Sequence, residues 1–286
     1  MNERILVVGA TGHIGRPVLD QLVASGTPVR VLSRRPEPAA APAGVEVMSG
    51  DLTRPDTLDA ALDGIDAVFL VWTAPPASVE AALERIAIRG RRIVLLTSPH
   101  KTQHPLFQQP NPLRGLHARI EALIEASGAQ WTFLRPGMFA INAVSWWGPQ
   151  IRSGDAVRWP CLDAPTAPIH ERDVARVAVL ALVEDGHEGA EYVLTGPQSL
   201  TQAEQVRAIG EAIGRPLRPI DLSPDEARRE LVPPFPLGAM NMLLDAWDAA
   251  TGQPALVTST FEAITGVPAR SFREWAEDHA ADFRTA

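Results

Sequence analysis

The sequence predicts an α/β fold, with a doubly wound parallel sheet followed by a smaller C-terminal α/β portion. Two observations lead to this prediction. Short apolar runs alternate with helical patterns through the first half of the chain, as they do in repeated βα units around a parallel sheet. Most of these runs are continuously apolar rather than alternating, which is typical of strands buried on both faces.

Six apolar runs in the first half are predicted strands. They cover residues 4–8, 29–32, 45–48, 67–71, 92–97 and 131–135. Helices are predicted between them at residues 14–25, 55–63 and 114–127, and each of these patterns stops at a glycine. Glycine favours this position because it adopts the left-handed conformation that ends many helices. The proline-rich segment 35–44 is a predicted surface loop.

The second half begins with a segment rich in Trp, Pro and Gly after residue 137, which predicts loops and the start of a small appended domain. Residues 171–183 form a strong amphipathic pattern and residues 191–194 a short strand, and we expect both to return to the sheet. Further helices are predicted at residues 202–213, 224–231, 237–250 and 271–282, with a proline-rich linker at 233–236.

Composition restricts the class of protein. The 286 residues carry a net charge of −8, with 26 basic and 34 acidic side chains, and a nucleic-acid partner needs a positive surface instead. The single cysteine, Cys161, leaves no internal disulfide partner. The apolar run at residues 5–8 is too short for a signal peptide or a membrane span. We therefore expect a cytoplasmic protein with neither a nucleic-acid nor a membrane partner.

A glycine-rich turn directly follows the first predicted strand and opens the first predicted helix. Its sequence is Gly9-Ala10-Thr11-Gly12-His13-Ile14-Gly15. Gly9 permits the tight turn, Gly12 lets the backbone approach a pyrophosphate, and Gly15 allows close helix packing against the sheet. The helix N-terminus offers unpaired amides to the phosphates. The context predicts a Rossmann dinucleotide site, and the alternative is a merely tight turn.

The domain organisation follows from this site. We expect residues 1–150 to form the NAD(P)-binding Rossmann domain, with residues 168–196 returning to its sheet. Residues 151–167 and 197–286 are assigned to the smaller, substrate-side portion.

The end of the second strand distinguishes NAD from NADP, because an acidic side chain there binds the ribose 2′-hydroxyl, whereas arginine accepts a 2′-phosphate. The chain has Ser33-Arg34-Arg35 at this place. Guanidinium groups form charge-assisted hydrogen bonds to phosphate. We therefore expect NADP(H) to be preferred over NAD(H), with Arg34 as the phosphate ligand. The alternative is a solvated basic turn.

Four motifs resemble those of a known family. They are the turn from Gly9 to Gly15, Ser49-Gly50-Asp51-Leu52 after the third strand, Leu96-Thr97-Ser98 at the end of the fifth, and Leu134-Arg135-Pro136-Gly137 at the end of the sixth. In this order they resemble the NmrA-like atypical short-chain dehydrogenase/reductases, which include isoflavone-reductase-like and quinone-oxidoreductase-like members. The resemblance covers residues 1–200 and, more weakly, the C-terminal helices.

The resemblance also implies roles for individual residues. Asp51 and Leu52 would flank the adenine, and Trp72 and Thr73 would lie at the ribose region. Further cofactor contacts are implied for Ser98 and, at the nicotinamide, for Pro136, Gly137 and Phe139.

The segments that follow strand ends supply the predicted substrate pocket, since α/β sheets bind ligands there. Its candidates are His100, Met138, Asn142 and Trp146. For Trp146 and Trp147 two interpretations stay open, a pocket wall or packing of the small domain. Trp131 and Trp275 are predicted core residues.

The chain departs from the superfamily at the active site. Standard members use Tyr-x-x-x-Lys on the helix after the fifth strand, where tyrosine transfers a proton. Here the only tyrosine, Tyr192, lies in a late strand, and the only lysine, Lys101, follows Ser98 in a loop. His117 and Glu121 stand at the matching helix positions, four residues apart and so on one face.

His117 is the candidate proton donor and Glu121 its candidate orienter, because an imidazole exchanges protons near neutral pH. The alternative is an exposed helical pair without a catalytic role. Quinones and iminium ions accept hydride readily, so the protein need supply little beyond orientation for them.

Other site chemistries fit poorly. His100 and His104 lack a third ligand with metal-site spacing, and we expect no metal. No nucleophile-elbow pattern surrounds Ser98, which argues against acyl transfer. The preferred function is an NADPH-dependent reductase of a small planar quinone, enone or imine. A non-catalytic NADP(H) sensor and a biosynthetic isomerase or cyclase are the alternatives, and the oligomeric state is open.

Overall fold

The structure is a computed structural model that describes residues 3–36, 41–231 and 236–284. The predicted loop at 35–44 and the linker at 233–236 lie partly outside the described residues.

Strands and helices alternate along the described residues. The strands are β1 (Ile5–Val8), β2 (Val29–Ser33), β3 (Glu46–Ser49), β4 (Ala67–Val71), β5 (Arg92–Leu96), β6 (Gln130–Pro136), β7 (Ala156–Pro160), β8 (Pro165–Thr166), β9 (Ala190–Leu194), β10 (Leu200–Thr201) and β11 (Arg218–Leu222). The helices are α1 (Gly15–Ala24), α2 (Asp59–Leu62), α3 (Val79–Arg89), α4 (Pro105–Gln108), α5 (Pro112–Ala126), α6 (Asn142–Trp146), α7 (Gly148–Ser153), α8 (Glu171–Val183), α9 (Gln202–Ile213), α10 (Pro224–Glu230), α11 (Leu237–Ala250), α12 (Thr260–Thr265) and α13 (Phe272–Asp278).

Seven strands form one sheet in the order β3-β2-β1-β4-β5-β6-β9. Ile5 pairs in parallel register with Val29 on one side and with Ala67 on the other. The strand order therefore reverses at β1, and such a switch point opens a crevice at the carboxyl ends of the strands. This arrangement confirms the predicted doubly wound fold.

The sheet is buried on both faces, which explains the continuous apolar runs. Leu6 and Val8 pack in one core cluster with the apolar sides of α3 and α5. The alternate residues Ile5 and Val7 are fully buried as well. Helices α1 and α8 contact each other, and α8 also contacts β4, β5 and β6.

The chain divides into two compact units. The first comprises residues 1–98, 112–136 and 171–193, and the second comprises 99–111, 137–170 and 194–286. The expected domain at 1–150 is therefore divided differently, because residues 99–111 and 137–150 make their contacts within the second unit.

The second unit has its own core, built around tryptophans. Trp147, Trp159 and Trp247 are fully buried, and the ring of Trp146 lies 5.5 Å from that of Trp247 and 5.6 Å from that of Trp159. Packing is thus the role that the structure shows for Trp147. The expectation of loops after residue 137 is wrong in part, because burial of these apolar side chains stabilises α6, α7 and β7.

Two other expectations about elements need correction. Helix α3 was missed because the sequence runs from its apolar residues into β5 with only Gly90 and Arg91 between them. The predicted helices 55–63 and 271–282 each contain a 3₁₀ segment, at Pro55–Leu58 and Ala280–Phe283. Of the described helices, none has both the length and the apolar composition needed to cross a membrane.

Candidate functional site

The glycine-rich turn lies at the switch point after β1. Gly9 has φ of +90°, and a Cβ at this position would stand 2.9 Å from Cβ of Val71. Both the backbone conformation and the contact with β4 therefore require glycine. The amide of Gly12 donates to the carbonyl of Gly9 at 3.0 Å, which closes the turn.

Gly15 and Gly12 differ in what surrounds them. A Cβ on Gly15 would lie 2.1 Å from the carbonyl oxygen of Gly9. Gly15 thus packs against the turn itself, whereas the sequence predicted packing against the sheet. A Cβ on Gly12 would meet only ordinary contact, 3.4 Å from the same oxygen, so packing within the protein does not require glycine there.

The N-terminus of α1 suits an anionic ligand. Ile14 occupies the N-cap, no side chain caps the helix, and the first turn carries no acidic residue. In its first turn the amide of Arg16 donates to the carbonyl of Gly12 and Pro17 has no N–H, so the amide of Gly15 is the one left there for a phosphate oxygen. The helix dipole adds a positive partial charge. These features fit the pyrophosphate of a dinucleotide.

A cavity of about 900 Å³ opens at this turn. Seven of the predicted cofactor residues line it, namely Gly9, Thr11, Gly12, Arg34, Asp51, Leu52 and Thr73. His13, Ile14, Gly15, Trp72, Ser98, Pro136, Gly137 and Phe139 are not among its lining residues. Arg16 also lines the cavity, and the sequence analysis missed it. Its position directly after the glycine motif could have indicated a cofactor contact.

Asp51 has a fixed orientation at the cavity. Its Oδ1 accepts hydrogen bonds from the amide and the hydroxyl of Thr53, both at 2.8 Å. These bonds and, after them, the nearby charges of Arg54 and Arg34 lower the pKa of the Asp51 carboxyl, although burial acts in the opposite direction. The side chain is therefore an anion whose Oδ1 is held by Thr53.

Trp72 turns its polar atom towards the protein. Its indole Nε1 donates to the carbonyl of Ala74 at 2.7 Å, and its ring packs against the core between the sheet and α3 and α5. The residue shapes the backbone after β4, next to the cavity-lining Thr73.

Ser98 and His117 are brought together at the end of β5, with Ser98 Oγ 2.8 Å from His117 Nδ1. One helical turn further along α5, Glu121 is 1% exposed. The interpretation of His117 and Glu121 as an exposed surface pair is thus wrong, because α5 turns Glu121 into the protein.

Glu121 belongs to a buried ion-pair network. Its carboxylate accepts a hydrogen bond from Thr97 Oγ1 at 2.9 Å and one from an Arg135 terminal amino group at 2.6 Å. Arg135 also donates to Glu191 at 2.5 Å. The network joins α5 to the end of β5 and to β6 and β9, and the sequence analysis did not identify these contacts of Thr97 and Arg135.

The second unit holds the remaining candidates. Asn142 Nδ2 donates to Met138 Sδ at 3.6 Å, and the amide of Gly137 donates to the carbonyl of Leu194. Phe139 forms a β-bridge with Ile169. His100 is buried, and Trp146 packs in the tryptophan core.

Comparisons with known proteins give relatives along the whole chain. A (4-alkanoyl-5-oxo-2,5-dihydrofuran-3-yl)methyl phosphate reductase from Streptomyces griseus is 41% identical over 283 residues, 98% of this chain and 99% of the relative. An NAD(P)H azoreductase from Xenophilus azovorans is 35% identical over 291 residues, 99% of this chain and 100% of the relative.

Solved structures share the fold. An NADPH-dependent quinone oxidoreductase from Escherichia coli, complexed with NADPH, superposes with a TM-score of 0.80 at 23% identity, over 96% of this chain and 99% of that one. A triphenylmethane reductase from Citrobacter sp. superposes with a TM-score of 0.81 at 20% identity, over 97% and 99% of the two chains.

The doubly wound sheet and the glycine turn at its switch point define a dinucleotide-binding α/β protein. Residues 9–185 match the model of the NAD(P)H-binding family. The chain belongs to this family and is an NAD(P)H-dependent reductase.

Proposed function

We propose that this protein is an NADPH-dependent reductase of small, planar, conjugated acceptors such as quinones, enones and imines. The observation that carries the proposal is the turn at the switch point, where the glycine turn from Gly9 to Gly12 and Arg34 line one cavity at the start of a helix that no side chain caps. When bound there, NADPH supplies the hydride.

Arg34 supports the preference for NADPH. It follows Ser33, the last residue of β2, where an NAD-specific chain carries a carboxylate. The carboxylate that does line the cavity, Asp51, accepts two hydrogen bonds from Thr53 and leaves the guanidinium of Arg34 to a phosphate.

The acceptor class is supported by the names of the relatives. They describe reduction of a dihydrofuranone that carries a phosphate and reduction of azo compounds. Both acceptor types contain an electron-poor double bond in a flat conjugated system, and full reduction of such a bond requires a proton as well as a hydride.

His117 is the proposed source of that proton. Ser98 fixes the ring through Nδ1, and an imidazole held in this way donates from its other nitrogen, Nε2. The contact with Ser98 orients the ring, while the anchored turn at Glu121 holds α5 in place.

The test is NADPH oxidation against a panel containing a quinone, an α,β-unsaturated butenolide, an imine and an azo dye. We expect turnover with at least one member and weaker turnover with NADH. Saturable NADPH binding without turnover on any member would contradict the reductase proposal and favour the sensor alternative. Gly12→Val serves as the control that lacks cofactor binding.

A further inference from the structure

Arg16 lines the dinucleotide cavity from the first turn of α1. Leu19 of the same helix, residues 31–33 of β2 and Arg34 line the same cavity, and α1 packs against β2. Arg16 thus approaches the cavity where α1 meets the carboxyl end of β2. This end of the second strand is where dinucleotide-binding folds recognise the 2′ position of the adenosine ribose.

Asp20 holds the Arg16 side chain from one helical turn away. Nε of Arg16 donates to Oδ1 of Asp20 at 2.8 Å and to Oδ2 at 3.1 Å. Among the described residues, the two terminal amino groups of Arg16 have no hydrogen-bond partner. The contact with Asp20 therefore orients the guanidinium through Nε and leaves its two terminal amino groups for an anion. Two parallel N–H donors of this kind match two oxygens of a phosphate.

The cavity is positive although the chain is acidic. Its charged lining residues, within the part of the chain that the structure describes, are Arg16, Arg34, Arg35 and Asp51. No described side chain bonds to the guanidinium of Arg34 or Arg35. By contrast, Arg158 on the second unit is bound by both oxygens of Glu230. Three arginines against one carboxylate in the lining of a cavity indicate an anionic ligand.

We propose that Arg16 and Arg34 form a clamp for the 2′-phosphate of NADPH, with Arg16 oriented by Asp20. The proposal rests on the NADPH preference proposed above and adds a second specificity residue to it. Arg16 is assigned to the 2′-phosphate rather than the pyrophosphate because the glycine turn and the N-terminus of α1 already suit the pyrophosphate.

The test is calorimetric binding of 2′,5′-ADP and of 5′-AMP, which lacks the 2′-phosphate, to the intact protein. Arg16→Ala is expected to weaken 2′,5′-ADP about 10-fold and 5′-AMP less than about 2-fold, since a charge-assisted bond to one phosphate is lost. Arg16→Lys keeps the charge without the fork and is expected to recover only part of the loss.

Arg54→Ala is the matched control. It removes one positive charge near Asp51 from a residue that does not line the cavity, and we expect less than about 2-fold change for either ligand. If Arg16→Ala weakens the affinity for both ligands equally, Arg16 lies at the 5′-phosphate side. If it weakens the affinity for 2′,5′-ADP no more than Arg54→Ala does, Arg16 acts only as a distant charge. Either result overturns the clamp.

The two proposals fail in different ways. If the unaltered protein binds 2′,5′-ADP no tighter than 5′-AMP, the NADPH preference is wrong and the clamp falls with it. If Arg34→Ala removes the preference and Arg16→Ala leaves it intact, the NADPH preference stands and the clamp alone is wrong.

Discussion

The imidazole of His117 carries the most specific chemical role proposed for the site. His117→Ala is expected to lower turnover about 100-fold for an acceptor that needs acid catalysis, with NADPH affinity unchanged. A readily reduced quinone should lose much less. Turnover of the slow acceptor should also fall as pH rises through the pKa of His117, which for a free imidazole is about 6.5.

Steady-state kinetics against pH checks this prediction. His187→Ala is the matched control, because His187 also bonds a hydroxyl, that of Tyr192 at 2.8 Å, and lies outside the proposed site. An unchanged rate and pH profile in His117→Ala on every active acceptor would remove His117 from the mechanism.

Cys161 is a thiol of low reactivity. Burial, with the nearby charges of Asp221 and Asp248, raises its pKa from 9.0 to about 11. The unfolded thiol ionises first, so this group lowers the free energy of unfolding as pH rises from 9.0 towards about 11.

We expect iodoacetamide to alkylate native Cys161 slowly at neutral pH and faster only as pH approaches about 11. Mass spectrometry of the native and the urea-unfolded protein measures both rates. A native rate that rises with a midpoint near 9.0 would contradict the stated effect of burial.

The glycine turn gives two substitutions with opposite consequences. Gly12→Val should leave the fold largely intact, because its Cβ meets only ordinary contact, and should abolish NADPH binding by filling the place of the pyrophosphate. Gly15→Ala should displace the turn and lower the melting temperature. Thermal unfolding and NADPH fluorescence titration distinguish them, and a folded Gly12→Val protein with full affinity would make the motif a structural turn only.

Helix α5 is anchored by a buried charge pair. Arg135→Met leaves Glu121 without its main partner and should cost about 3–5 kcal/mol. Combining it with Glu121→Leu should cost clearly less than the sum of the single changes, since no buried charge is then unpaired. Urea unfolding measures these values. The control is Arg158→Met in the exposed pair Arg158–Glu230, which is expected to cost about 0–1 kcal/mol. If the losses of the two single variants simply add in the double variant, the coupling is contradicted.

The sheet strands could be predicted because each is short, apolar and bounded by turn residues. Helix α3 and the elements of the second unit could not, because their stability comes from tertiary packing of residues such as Trp147 and Trp159 that carry little periodic signal. At the site, the glycine turn could be predicted from the spacing of its glycines. The contacts of Thr97 and Arg135 with Glu121 join three distant segments, and no local pattern marks them.

The order of segments in the sheet has a consequence for synthesis on the ribosome. Strand β9 is the last in the sheet and pairs with β6, but residues 137–189 are made between them. Until β9 emerges, β6 is an open edge with unsatisfied backbone groups and can pair with another nascent chain. A stalled or prematurely ended chain should therefore be a substrate for chaperones, and coexpression of a chaperone should raise the yield of folded protein.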